Sequence, residues 1–210
     1  MTTIVDHQLP DDTHSLYDVR SQYNPTPIST IVTNTPSYVD SWISETEQTE
    51  RHRLHRLIVG LDVKWRRNSS SSSDHHHPVA TLQLCVDHRC LVFQILHSPA
   101  IPESLKDFLR NPSYTFCGVG VERQAERLNK DYDLVVGNAG EIRALVENRK
   151  AQLKELTLLV LGDELKRKKG VRVGGWDNQR LTLKQVEYAC IDAFLSFEMG
   201  KSLICGYGNY

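Results

Sequence analysis

Leu57-Ile58-Val59-Gly60-Leu61-Asp62-Val63-Lys64-Trp65 is an apolar run of strand-forming residues with a carboxylate in its middle. Apolar residues on both faces are expected where helices cover both sides of a sheet, and a charge placed there must be paired or bind a metal. Side chains two apart share a strand face, so Asp62 and Lys64 point the same way, with Gly60 leaving open space beside them. Two readings stay open at this point, a functional carboxylate and a plain Asp–Lys ion pair.

The rest of the chain supplies what would surround such a strand. Ser15 to Val19 and Ser29 to Thr33 alternate and are separated by Pro25 and Pro27, which predicts two short strands or a hairpin. Pro36 opens a helix whose Val39, Trp42 and Ile43 recur at helical spacing. Residues 1–53 thus read as an extension packed on a domain spanning 54–206, and 210 residues suit that plan. Val79 to Val86 and Cys90 to Ile95, joined by Asp87-His88-Arg89, predict two further strands antiparallel to the first. A helix over Ile101 to Leu109, a buried strand at Tyr114 to Val119 and a polar helix over Glu122 to Lys130 follow. Leu134 to Val136 predicts a short strand, Glu141 to Val146 a helix, and Leu153 to Leu161 a helix ended by Gly162. Thr182 is a good N-cap for a long helix to Leu203, on which Tyr188 and Asp192 share a face.

Charge narrows the search for partners. With 25 Lys and Arg against 26 Asp and Glu the net charge is -1, so no global basic field advertises nucleic acid and any such contact must be local. Lys166-Arg167-Lys168-Lys169-Gly170-Val171-Arg172 is the one strongly basic stretch, read either as a phosphate contact or as a solvated loop. Trp176, just beyond it, suits base stacking or core anchoring equally. Asn68 to His77, with its serine and histidine runs, reads as a low-complexity hairpin loop without a scaffold to fix metal geometry. Gly118-x-Gly120 at a strand end suits a ligand-facing turn, although the full dinucleotide fingerprint is missing. The five cysteines contain no C-x-x-C pair and read as reduced thiols, mostly in the core. No apolar run approaches a membrane span and Met1 to Pro10 lacks the apolar centre of a signal peptide. The expectation is a soluble intracellular protein of the cytoplasm or nucleus, with no membrane partner.

The order of these features resembles the DnaQ-like 3'-5' exonucleases. Within them it is most similar to the Werner-syndrome-type exonuclease domain and to the small plant proteins that include the RISC-interacting clearing exoribonucleases. Three stretches carry the likeness: Ile58 to Trp65, Phe116-Cys117-Gly118-Val119-Gly120-Val121-Glu122, and Trp176-Asp177 followed by Leu181 to Gly200 with Tyr188-Ala189-Cys190-Ile191-Asp192. The resemblance implies an RNase H-like α/β fold, a mixed sheet with helices on both faces. It implies a 3'-5' exonuclease that hydrolyses single-stranded RNA or DNA with a pair of Mg²⁺ or Mn²⁺ ions held by four carboxylates. In the matching roles Asp62 bridges the ions, Asp192 ligates one, and the Tyr188 hydroxyl orients the attacking water. It also implies a homo-oligomer, a hexameric ring with active sites at subunit interfaces, and RNA-silencing proteins as partners.

Two positions depart from that pattern. Lys64 stands where the family has its second acid and Gln124 where it has its third. An ammonium beside two carboxylates is favourable at short range, so Lys64 could stand in for a metal and leave a salt bridge. Three arrangements would restore a site: Glu122 or Glu126 swinging in as a substitute acid, Lys64 turning outward to phosphate, or an acid from a neighbouring subunit. Two classes of function follow, a metal-dependent exonuclease weakened by the replacements and a catalytically impaired nucleic-acid-binding or structural subunit.

Overall fold

The computed structural model describes residues 3–9, 13–21, 24–66, 76–162 and 174–206. In chain order the first elements are β1 (Thr3–Asp6), β2 (His14–Ser21), β3 (Asn24–Thr33), α1 (Pro36–Thr49), β4 (Leu57–Trp65), β5 (Val79–Val86) and β6 (Arg89–Phe93). They are followed by α2 (Glu103–Arg110), β7 (Tyr114–Gly118), α3 (Val121–Tyr132), β8 (Ala139–Glu141), α4 (Ile142–Leu145), α5 (Leu153–Leu161) and α6 (Leu183–Cys205).

All eight strands join one mixed sheet in the order β1-β2-β3-β6-β5-β4-β7-β8. Strand β4 pairs antiparallel with β5 and parallel with β7, and every residue from Leu57 to Val63 is buried. Its register fixes which side chains share a face. Val59 lies opposite Phe116 and Gly60 opposite Cys117, so β4 and β7 present matched rows to the two covering layers. Phe116 meets Phe108 of α2 at 5.7 Å between ring centroids, and Trp42 of α1 lies 6.2 Å from Phe108. These rings bury one face of the sheet, at about 1.5–3 kcal/mol for each fully covered large apolar side chain. Helix α6 covers the other, over β4, β5, β6 and β7. The expected architecture of helices on both faces is the one observed.

The anticipated hairpin of β2 and β3 is present, and it does more than pack on the core. β3 pairs parallel with β6 from Ser29 to Thr33, so the N-terminal strands extend the same sheet. Strand β1, paired with β2, was not anticipated from the sequence. The short strand expected at Leu134 to Val136 lies instead at Ala139–Glu141, beside β7. Leu134 is buried as an apolar anchor after α3 and its apolar neighbours are not in a strand. The cysteines are all free thiols and only Cys205 is not fully buried. Among the described residues no helix is long and apolar enough to cross a membrane. The serine run (67–75) and the basic run (163–173) lie outside the described residues.

Candidate active site

The site begins with a glycine. A Cβ on Gly60 would stand 2.0 Å from the Ala193 carbonyl oxygen and 2.6 Å from the Phe197 nitrogen, so the space beside Asp62 is filled by the backbone of α6. The open space expected there does not exist. Its filling brings α6 against β4 and sets Asp192, one residue before Ala193, over the carboxylate of the strand. The start of α6 is fixed by a capping box: Thr182 Oγ1 accepts from the Gln185 N–H and Gln185 Oε1 accepts from the Thr182 N–H. At the end of β7, Gly120 takes φ 77°, a left-handed conformation that suits glycine, and its N–H donates to Glu141 Oε1 at 3.0 Å. That donor is spent on the protein, so the turn is a helix start and not an open anion cradle.

Four side chains from three elements converge beside Gly60. Lys64 Nζ lies 2.7 Å from Asp192 Oδ2 and forms a second, short ion pair with Asp62 Oδ2. Gln124 of α3 donates from Nε2 to the other Asp62 oxygen at 3.0 Å. The Tyr188 ring lies 4.8 Å from the ammonium and the Trp176 ring 5.9 Å, both within cation–π range. Asp62, Gln124 and Asp192 are all buried. The cluster is a cation enclosed by two carboxylates and two aromatic faces.

Its electrostatics follow from burial. Burial pushes the Asp62 carboxyl above its ordinary value against the pull of Lys64, and the nearby Asp192 adds to the rise. Burial draws Lys64 down, but Asp192 and Asp62 together outweigh it and hold the ammonium above the usual lysine range. Lys64 is therefore charged throughout the physiological range. A pair of divalent ions needs several anionic oxygens free to coordinate. Here both acids are turned onto an ammonium, and Gln124 offers its N–H to Asp62. Among the described residues no group of three or more His, Cys, Asp or Glu is placed to hold a metal. The donor set does not fit the two-ion centre.

The structure brings together Asp62, Tyr188 and Asp192 with the two replaced positions, Lys64 and Gln124. It does not bring in the substitute acids. Glu122 and Glu126 are exposed, each two residues from the buried Gln124 and so turned about 200° round the helix from it. Lys64 points inward rather than toward solvent. Trp176 is only 5% exposed, so it is packed beside the Lys64 ammonium and is no free stacking platform, a correction to the base-stacking alternative. Lys166, Arg167, Lys168, Lys169 and Arg172 lie outside the described residues.

Sequence reasoning missed the groups that hold the Trp176 loop. Gln94 Nε2 donates to the carbonyls of Asn178 (3.2 Å) and Gln179 (3.0 Å), His97 Nε2 donates to that of Asp177 (2.9 Å), and Gln185 Nε2 to that of Gly175 (3.1 Å). Only Gln185 was findable, as the N3 residue of the capping pattern Thr182-x-x-Gln185. Gln94 and His97 carry no local pattern.

No protein-family model matches the chain. A 3'-5' exonuclease of Arabidopsis thaliana is 30% identical over 161 residues, covering 74% of this chain and 55% of that protein. The Mus musculus protein named bifunctional 3'-5' exonuclease/ATP-dependent helicase WRN is 33% identical over 144 residues, 65% of this chain and 10% of that one. The chain thus spans about half the length of the first relative and a tenth of the second. Among solved structures, Escherichia coli RNase D superposes with a TM-score of 0.66 at 18% identity, over 82% of this chain and 44% of its own. Trypanosoma brucei RNase D, solved in complex with RNA, gives 0.68 at 14% identity, over 86% and 64%. At these identities the structural likeness speaks for the fold.

Proposed function

We propose, from the premise that this chain belongs to the DnaQ-like 3'-5' exonuclease superfamily, that it acts on the 3' ends of single-stranded RNA or DNA as a weakened exonuclease. The observation that carries the reading is the meeting of Asp62 and Asp192 on one ammonium beside the Tyr188 ring. These residues arrive from the strand and the helix that the family uses. In this cleft an incoming phosphodiester competes with the two carboxylates for Lys64. A carboxylate released from Lys64 is a general base for the attacking water, and the Tyr188 hydroxyl orients that water. In the family Mg²⁺ or Mn²⁺ stabilises charge at the phosphate, but the donor set here does not fit such a pair, and the positive charge available to the phosphate is the Lys64 ammonium.

A second reading is favoured by the same ion pairs: a non-catalytic subunit that binds nucleic acid or assembles with active relatives. Digestion of a 3'-labelled and a 5'-labelled oligonucleotide with Mg²⁺, Mn²⁺ or EDTA separates the two. The parent is expected to shorten the strand from its 3' end, and Asp192→Asn to lose about 10²-fold or more of that rate, the usual contribution of a positioned general base. A parent no faster than Asp192→Asn would remove the enzyme reading and leave the binding one. The chain is assayed as it assembles, because a homo-oligomer with cleft residues contributed across a subunit boundary belongs to the same proposal. RNA-silencing proteins as partners are carried on the family likeness alone, and a place in the cytoplasm or nucleus on the sequence reading alone.

Attraction for the strand is assigned to the basic run Lys166 to Arg172, since the net charge of -1 leaves no general field. Each phosphate contact on a single strand contributes roughly -0.7 to the slope of log affinity against log salt. Replacing Lys168 and Lys169 by alanine is expected to flatten that slope by about one unit or more and to weaken all sequences alike. Unchanged binding by the double variant at every salt concentration would place the strand's path elsewhere.

A further inference from the structure

We infer that Lys64 is the resident cation of this cleft, held by Asp62, Asp192, Tyr188 and Trp176 where the family places its divalent ions, so that the chain excludes metal from the two acids. The inference rests on the family reading of the cleft as an ion site, and goes beyond it by naming what occupies the site and which residues keep it there.

The argument is one of charge and of enclosure. Asp62 and Asp192 carry two negative charges between them, and the Lys64 ammonium contacts an oxygen of each. A four-carboxylate site balances two divalent ions. Here two such ions would set four positive charges and an ammonium against two acids. A single divalent ion shared by the acids would compete with the ammonium, which already holds Asp62 Oδ2 and Asp192 Oδ2, while Asp62 Oδ1 accepts from Gln124. Neither cation tolerates the other at that separation in a buried place, where Coulomb repulsion is weakly screened.

The enclosure resists displacement. The ammonium faces the Tyr188 ring at 4.8 Å and the Trp176 ring at 5.9 Å, and aromatic faces favour a cation over a neutral group. Trp176 is held in turn by Gln94, His97 and Gln185 through the carbonyls of its loop. Gln124 completes the arrangement. Its amide donates to Asp62 Oδ1, the oxygen not paired with Lys64, which a third carboxylate would have repelled. Lys64 and Gln124 are therefore matched changes: each removes a negative charge, and together they let one ammonium balance the site.

Mn²⁺ is the probe, followed by electron paramagnetic resonance on the full chain without nucleic acid, so the outcome does not depend on whether the chain cleaves a strand. The parent is expected to bind no Mn²⁺ tighter than the millimolar range. Lys64→Glu and the uncharged Lys64→Gln are expected to gain at least tenfold in affinity, with the gain lost on adding Asp192→Asn. Micromolar uptake of one or two Mn²⁺ by the parent overturns the inference. So does the absence of any gain in Lys64→Gln that circular dichroism shows to be folded. Should both Lys64 variants require Mn²⁺ to fold, the metal-dependent refolding itself supports the inference; should neither fold under any condition, the parent titration decides alone. Oligonucleotide digestion by a parent that takes up no Mn²⁺ would uphold this inference and the exonuclease reading together. Failure to digest would count against the exonuclease reading only.

Discussion

Gly60→Ala is expected to cost about 3 kcal/mol or more of folding stability, at or above the upper end of ordinary overpacking. The added methyl would lie 2.0 Å from the Ala193 carbonyl oxygen, 2.6 Å from the Phe197 nitrogen and 2.9 Å from its Cβ. None of these atoms is the far end of a side chain that could rotate away. Two belong to the backbone of a 23-residue helix that packs along β4, β5, β6 and β7, so relief requires the helix to lift from the sheet. Since the whole domain is held by roughly 5–15 kcal/mol, such a loss is a large share of it. Urea unfolding followed by helical circular dichroism measures it. Gly174→Ala is the control: nothing lies within 4 Å of a Cβ there and no positive φ demands glycine, so its midpoint stays within about 0.5 kcal/mol of the parent. A Gly60→Ala midpoint as close to the parent as that control would mean α6 does not bear on β4 as described. A smaller but folded lift would still part Asp192 from Lys64, and so connects fold to site.

This contact also marks the limit of what the sequence discloses. The buried strand β4, its two-sided apolar pattern and the common face of Asp62 and Lys64 are local properties, set by a period of two, and they were legible. So were the Thr182 cap and the shared face of Tyr188 and Asp192, set by the helical period. What fills the space over Gly60 is a segment more than 130 residues later, and nothing local says whether a glycine leaves a cavity or admits a backbone. Strand β8 failed for a related reason. Ala139-Gly140-Glu141 has little strand propensity and is extended because β7 offers it an edge, whereas Leu134-Val135-Val136 looks like a strand but has none to join. The opposite phase of Glu122 and Glu126 was available from the helical period, given the buried Gln124 between them. The inward turn of Lys64 was not, because it depends on two acids meeting in space.

Removing the ammonium gives the other large effect. Lys64→Met keeps the length of the side chain and leaves Asp62 and Asp192 buried and facing one another without a cation. Breaking a buried ion pair by deleting one partner costs about 3–5 kcal/mol, because the remaining charge is uncompensated. Replacing all three members, as Asp62→Asn, Lys64→Met and Asp192→Asn, leaves no buried charge and is expected to restore most of that stability, since such clusters often exchange for neutral groups at little net cost. The pH dependence has a definite sign. The Asp62 carboxyl already sits above its ordinary value through burial, and Lys64 is what pulls it back. Without Lys64 it rises further. A carboxyl whose folded value exceeds its unfolded value favours the folded state when protonated, and this advantage is lost as the pH rises from about 3.8 through the raised folded value. The Lys64→Met chain should therefore fall furthest behind the parent near neutral pH and close much of the gap as the pH is lowered toward 4. Urea midpoints for both chains at pH 4.5, 6 and 7.5 test this. A gap that stays constant, or widens toward acid, would mean that Lys64 stabilises the fold through the packing of its stem and not by balancing the charge of the two acids.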